Sequence, residues 1–182
     1  MRNRVQREAV ILIKGTLVSL ALLACSLTSI SQCSAPNVPE ELVLAEAAHY
    51  GEHKALVKKS LAWLVKTPMD ECTEAREELN AFVVLWLSGS PEIRVDVKTS
   101  CMPFIEDNED LFFTFLHGVA LYQINHRQET DPVVLHAQGL KSVAFQVREA
   151  KCSKSPELKA ILKADRKNRL EEYATECLAI SQ

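Results

Sequence analysis

The sequence predicts an all-α protein, an antiparallel bundle of five or six helices with one short extended segment near residues 93–97. Apolar residues recur at helical spacing through most of the chain after residue 40. Helix-start signals, in which Thr, Asp or Ser precedes proline, open several of these stretches. Residues 93–97 alternate between apolar and polar side chains as a β-strand does, and no second strand of comparable quality is predicted after residue 40. A lone strand could not pair its backbone groups in a sheet.

The first two helices are predicted on either side of residue 67. One is expected from Glu40 to about Lys66, and the next is expected to start at Thr67-Pro68-Met69-Asp70 with Thr67 as its N-cap. The second helix should end at Ser88-Gly89-Ser90-Pro91, with Gly89 in the left-handed conformation. Its apolar stripe consists of Cys72, Ala75, Leu79, Phe82, Val83 and Trp86.

The segment at 93–97 separates these helices from the rest. We expect it to lie extended across the helices with Ile93, Val95 and Val97 facing down, although an edge that pairs with another chain is the alternative. The next helix should be capped by Asn108 and run through residues 111–124, which are apolar on nearly every side and therefore suited to the centre of the fold.

Three further helices complete the prediction. Their expected starts are Thr130-Asp131-Pro132, Ser155-Pro156-Glu157 and a point near Asp165, the last helix running to Ile180. Gly118 and Gly139 fall inside helices, where each costs about 1 kcal/mol relative to alanine. Because a close approach of two helix backbones compensates that cost, we expect these two glycines to face each other.

The first 31 residues predict an export signal peptide. A basic start leads into an apolar run over residues 16–24 and then into a stretch of small and polar residues that ends at Ser31, an order typical of such signals. We expect cleavage after Ser31, a short tail over residues 32–39 and a single helical domain over 40–182, located in the periplasm or outside the cell. The basic residues of the start are Arg2, Arg4, Arg7 and Lys14.

Two alternatives to cleavage after Ser31 are open. A retained anchor would need about 20 apolar residues, and the run here is shorter, so the mature domain is not expected to span a membrane. A lipoprotein anchored at Cys25 is the other alternative, because Leu22-Leu23-Ala24-Cys25 loosely resembles a lipidation box, although Leu23 fits it poorly.

The charge of the mature chain argues against nucleic acid as a partner. Cleavage would remove four of the 21 basic residues and one of the 24 acidic residues, which leaves 17 against 23 and a formal charge near −6. Nucleic-acid binding depends on clustered Lys and Arg. The basic residues between 159 and 169 are interleaved with an acid and apolar residues, as on an ordinary solvated helix face.

Five cysteines would remain after cleavage, and an odd number leaves at least one unpaired. Because Cys33 lies in the tail, we expect any pairing to occur among the other four, in one of three arrangements that the sequence does not distinguish. Ordinary buried thiols are the alternative. The four cysteines are Cys72, Cys101, Cys152 and Cys177.

A resemblance supports the compartment and the fold. The motifs that carry it are Thr67-Pro68-x-Asp70-Glu71, Arg76, Asn80-Ala81-Phe82-Val83 and Trp86-Leu87-Ser88-Gly89-Ser90-Pro91. Together they resemble uncharacterised small exported all-helical proteins of Bacteroidota over roughly residues 60–178. The resemblance implies an exported helical protein, and it supplies no catalytic residue.

His49-Tyr50-Gly51-Glu52-His53 is the most specific chemical pattern in the chain, and it matches the H-x-x-E-H arrangement of inverted zinc proteases. Two histidines four residues apart on a helix can share one zinc ion, with Glu52 as the base. His49 and His53 are therefore the candidate metal ligands of a zinc-dependent hydrolase. Gly51 weakens the helix, however, and no third ligand is evident, so packed histidines are the simpler interpretation.

Trp63, Trp86 and the three phenylalanines at 112, 113 and 115 could line an apolar ligand pocket, although aromatic residues at helical spacing are more often core. His117 is expected in the core, and no nucleophile motif or phosphate-binding loop is present. We therefore expect no catalytic residue and no cofactor. The favoured function is a non-enzymatic interaction module that contacts an envelope protein or component; a carrier of a small apolar ligand and the zinc hydrolase are the alternatives.

Overall fold

The computed structural model describes residues 33–106, 108–150 and 155–180. Within these ranges the protein forms six α-helices and no β-strand, which confirms the all-α prediction. The predicted signal peptide and its cleavage site lie outside the described residues. The helices are α1 (Ala47–Lys66), α2 (Thr73–Gly89), α3 (Asp110–Asn125), α4 (Pro132–Glu149), α5 (Pro156–Arg166) and α6 (Leu170–Ile180).

Two clusters of buried apolar side chains form the core, and α3 contributes to both of them. Phe115 and Val119 pack with α4, α5 and α6, whereas Ala120 and Ile124 pack with α1 and α2. This double role follows from the sequence of α3, which is apolar on nearly every side and must be covered all round. The prediction that α3 lies at the centre is confirmed.

Glycines allow α3 and α4 to pack closely. A Cβ atom at Gly118 would lie 2.8 Å from the carbonyl oxygen of Gln138 and would also collide with Ser142. A Cβ atom at Gly139 would collide with the ring of Phe115. The close approach of the two helices is therefore confirmed. Each glycine lies against other residues of the facing helix, however, so the expectation that the two glycines face each other is wrong.

The segment at 93–97 lies extended on the helices, as predicted. Ile93 is buried in the cluster of α1 and α2, Val97 packs on the cluster of α4 to α6, and Val95 contacts both. The intervening Arg94 and Asp96 are exposed. The two-residue period thus places one apolar face on the core and one polar face outward without any sheet.

Helix α1 begins seven residues later than predicted. Residues 40–46 are not helical, since Leu42 and Leu44 are half-buried against the core while Val43 is 58% exposed. This alternation between half-buried and exposed side chains is typical of an extended chain and not of one face of a helix. The tail before it also contacts the core, through Ala35 and Val38.

Thr67 is the end of α1 and not the start of α2, which corrects the predicted N-cap. Its backbone N–H donates to the carbonyl of Trp63 at 2.9 Å, and α2 begins only at Thr73. Cys72 precedes α2 in the left-handed conformation, with φ of 52°. The carbonyl of Thr67 is needed elsewhere, because it accepts hydrogen bonds from Arg76 and Gln146.

The last helix also starts later than predicted, at Leu170. Asn168 adopts a left-handed conformation with φ of 53°, and the N–H of Arg169 donates to the carbonyl of Ala164 at 2.9 Å. These features form a helix-terminating motif that closes α5. A helix that began near Asp165 would have to continue through this termination.

The other caps follow the sequence, with two differences. The side chain of Asp131 accepts from the N–H of Val133 at 2.8 Å, and that of Ser155 accepts from Leu158. Asn108 accepts from the N–H of Asp110, but it lies one residue before the N-cap position of α3, which Glu109 occupies. At the end of α2, however, Gly89 is not left-handed; its missing side chain makes room for the ring of Tyr50.

Disulfide bonds hold parts of the chain that are distant in sequence. Cys101 and Cys177, with Cα atoms 5.5 Å apart, join the turn Thr99–Cys101 to α6. Cys33 and Cys72 each take part in a disulfide bond as well. The expectation that Cys33 stays outside the pairing is therefore wrong, and so is the alternative of ordinary thiols for these four cysteines. Ala35 and Val38, which follow Cys33 in the tail, pack against the core. Cys152 lies outside the described residues.

None of the helices in the described ranges is both long enough and apolar enough to cross a lipid bilayer.

Candidate functional site

A cavity of about 470 Å³ lies between α3, the start of α4 and the extended segment. We call it the α3–α4 cavity. Phe115, Val119 and Gln123 line it from α3, and Pro132, Leu135 and His136 line it from α4. Arg94, Asp96, Lys98, Thr130 and Leu178 complete the lining. Its volume falls within the usual range for small-molecule sites, about 300–1,000 Å³.

The lining of the cavity is divided by exposure. Phe115, Val119 and His136 are buried and form its inner wall, while Leu135 and Leu178 are half-buried. The three charged residues of the extended segment are exposed, and so is Thr130. The cavity therefore combines an apolar interior with a charged opening. This combination suits a molecule that has one apolar and one polar end.

His136 is the polar side chain of the inner wall. It is 4% exposed, its Nε2 atom has no hydrogen-bond partner in the protein, and its ring contacts Phe115 edge-on with centroids 4.7 Å apart. Burial lowers the pKa of this imidazole to about 4, so the ring is neutral at neutral pH. A neutral imidazole has one N–H donor and one acceptor nitrogen.

Gln123 connects the inner wall to the opening. Its Nε2 donates to the backbone carbonyl of Arg94 at 3.0 Å, which ties the extended segment to α3. Its Oε1 is buried and has no hydrogen-bond partner in the protein. Leaving a buried polar atom unpaired costs about 1–3 kcal/mol, and this cost applies both to Oε1 of Gln123 and to Nε2 of His136.

The predicted aromatic pocket is divided among three places. Phe115 lines the α3–α4 cavity, whereas Phe112 and Phe113 contact each other with ring centroids 5.8 Å apart. Trp86 is buried in the core and donates through Nε1 to the carbonyl of Tyr50, and Trp63 lies beside the guanidinium of Arg76. Of the five aromatic residues, the cavity therefore uses one.

His49 and His53 lie on α1, as the sequence suggested, but each is engaged in local structure. Nδ1 of His49 accepts from the backbone N–H of Glu46 at 3.2 Å and helps to cap the helix. The ring of His53 contacts Phe82 edge-on, with centroids 6.4 Å apart. In the described part of the chain, no group of three or more His, Cys, Asp or Glu residues is arranged to hold a metal ion. Zinc binding by the pair stays a prediction.

Sequence reasoning missed a buried polar cluster at the end of α1. Arg76 is 8% exposed and donates to the carbonyls of Leu64 and Pro68, at 3.3 and 3.2 Å, and to that of Thr67. Gln146 of α4 donates to the carbonyls of Leu64 and Thr67 as well. Burial lowers the pKa of Arg76, against the charges of Asp110 and Asp70. The available signal was the position of Arg76 on the apolar stripe of α2.

The remaining histidines have structural surroundings. His117 is 2% exposed on α3, which confirms its place in the core, and neither of its ring nitrogens has a hydrogen-bond partner in the protein. His126 is exposed and stacks on Tyr122 with centroids 4.1 Å apart.

No protein-family model, curated protein or solved structure matches this sequence.

Proposed function

We propose that this chain is an exported, non-enzymatic helical domain that binds a small molecule with an apolar body in the α3–α4 cavity. One observation carries the proposal: a cavity of about 470 Å³ whose inner wall is formed by the buried side chains of Phe115, Val119 and His136. A largely apolar pocket with a few polar atoms that converge on it is the usual form of a small-molecule site.

The cavity favours a small ligand over the envelope protein or component that the sequence first suggested. A carrier needs an interior that an apolar body can enter, and Phe115, Val119 and Leu135 supply one. It also needs a few polar atoms to fix the orientation of the ligand. Neither requirement involves a catalytic group or a cofactor, in agreement with the non-enzymatic function that the sequence favours.

Export to the periplasm or the cell exterior is part of the proposal. The signal-like first 31 residues and the resemblance to exported proteins of Bacteroidota support it. The disulfide between Cys101 and Cys177 is compatible with it, because disulfides persist in oxidising compartments. The mass of the N-terminal peptide from fractionated cells tests the proposal. A peptide that begins at Gln32 is expected, a lipidated Cys25 would indicate the lipoprotein alternative, and an intact Met1 in the cytosol would contradict export.

Ligand extraction tests the function of the cavity. The full chain is purified from the exported fraction without detergent, and the released small molecules are identified by mass spectrometry. We expect an apolar compound in roughly equal molar amount to the protein. Leu135→Trp, which fills the half-buried edge of the cavity, should abolish co-purification.

The matched control is Leu85→Trp, since Leu85 is 54% exposed on α2 and does not line the cavity. Circular dichroism establishes that both variants are folded. Equal recovery of the compound from the two variants would show that it binds elsewhere. Failure of every added apolar probe to bind the purified protein would contradict the proposed function.

A further inference from the structure

The opening of the α3–α4 cavity contains three charged side chains in a regular arrangement. Arg94, Asp96 and Lys98 alternate with the apolar residues of the extended segment, so they share its outward face. All three are exposed and line the cavity. Consecutive members are about 7 Å apart along the chain, so the backbones of Arg94 and Lys98 lie about 13 Å apart on either side of Asp96. The long side chains of both cations can turn toward one group held at the opening.

The charge of this opening is positive by one unit. Two cations and one carboxylate line it, and no ion pair within 4 Å in the described part of the chain involves any of them. The fourth ionisable group of the lining, His136, adds no charge at neutral pH because burial lowers its pKa to about 4. The excess positive charge stands out in a chain whose formal net charge is −3.

The interior behind the opening suits an uncharged chain. Phe115, Val119 and Leu178 are apolar, and a charge placed among them would lose its hydration without a compensating partner. The negative end of a ligand therefore belongs at the opening, beside Arg94 and Lys98, and its apolar end belongs against α3 and α4.

We infer that the α3–α4 cavity binds a monoanionic amphiphile, an apolar chain that ends in one carboxylate, with the carboxylate between Arg94 and Lys98. The inference rests on the proposed function and adds the chemical class of the ligand. Asp96 offsets one of the two cationic charges, so the net charge of the opening matches a single carboxylate. The bond from Gln123 to the carbonyl of Arg94 holds the cationic segment against the helix that lines the apolar interior.

Three probes with the same apolar chain test the inference by calorimetry on the full mature chain, below their micellar concentrations. They are decanoate, decanol and decyltrimethylammonium. We expect decanoate to bind several-fold, and at most about twenty-five-fold, more tightly than decanol, because each of two exposed ion pairs contributes at most about a factor of five. The cation should bind most weakly.

Variants at the opening separate charge from shape. Arg94→Gln combined with Lys98→Gln should weaken decanoate binding about tenfold and leave decanol binding unchanged. Asp96→Asn should strengthen decanoate binding several-fold. Lys141→Gln is the control, because Lys141 is exposed on α4 and does not line the cavity.

Each outcome decides a separate point. Equal binding of decanoate and decanol would overturn the anionic ligand and leave the apolar carrier intact. Tightest binding of decyltrimethylammonium would overturn the sign of the charge. If none of the three probes binds, both the inference and the proposed function fail. A preference for decanoate that survives the double substitution would place its carboxylate away from the opening.

Discussion

Replacing His117 with leucine should make the stability of the protein less sensitive to acid. His117 is 2% exposed within α3, and neither ring nitrogen has a hydrogen-bond partner in the protein. Burial is the larger cause that lowers its pKa to about 3, and the positive charge of Arg76 is the second cause. The folded protein therefore keeps this imidazole neutral at pH values where the unfolded chain protonates it.

The sign and size of the effect follow from linkage. An unfolded histidine has a pKa near 6.5, so between about pH 6.5 and pH 3 the unfolded state binds a proton that the folded state does not. The stability from this group is fully present above pH 6.5 and is lost as the pH falls, by about 1.4 kcal/mol per pH unit. Between pH 7 and pH 4.5 the loss from His117 amounts to about 2.5 kcal/mol.

Urea unfolding at both pH values, with the disulfides intact, measures this loss. The wild type also loses stability through other groups that titrate in acid, so the useful quantity is the difference between wild type and His117→Leu. That difference should shift by about 2.5 kcal/mol in favour of the variant on going from pH 7 to pH 4.5. His126→Gln, at the exposed ring stacked on Tyr122, is the matched control for loss of a histidine. An identical pH dependence in wild type and His117→Leu would refute the reasoning, since the folded state would then accept the proton.

Three further predictions concern the fold. Cys101→Ser combined with Cys177→Ser should lower the free energy of unfolding by about 4.5 kcal/mol, because the bond spans 76 positions; urea denaturation without reductant measures this, and a loss below about 1 kcal/mol would show that the loop is ordered in the unfolded chain. Gly51→Ala should stabilise α1 by up to about 1 kcal/mol, since a Cβ atom there meets nothing within 4 Å. Gly118→Ala should destabilise the protein by about 1–3 kcal/mol, because its Cβ atom would collide with α4. Thermal melts that rank the two variants in the opposite order would contradict the packing of α3 on α4. Arg76→Met and Gln146→Leu should together cost more than the sum of their separate effects, because the carbonyls of Leu64 and Thr67 lose every side-chain donor only in the double variant; strict additivity in a double-mutant cycle would show that the two side chains act independently.

The candidate site could be predicted from the sequence only in part. The predicted contact of the apolar residues at 93–97 with the helices leaves the charged residues that alternate with them facing outward, and Phe115 belonged to a proposed aromatic pocket. His136 received no role, because one histidine without a helical neighbour of the same type has no local signal. The cavity forms only where the extended segment, α3 and α4 meet, and this meeting joins residues more than 30 positions apart.

The sequence by itself determined the helical class, the centrality of α3 and the caps at Asp131 and Ser155, because hydrophobic period and capping chemistry act within a few neighbouring residues. Only the tertiary structure decided that Thr67 ends α1, since its carbonyl accepts hydrogen bonds from Arg76 of α2 and from Gln146 of α4. The same holds for the partner of Cys101 and for the room that Gly89 gives to Tyr50. Such features depend on atoms brought together from distant parts of the chain, and the local sequence pattern does not indicate which parts will meet.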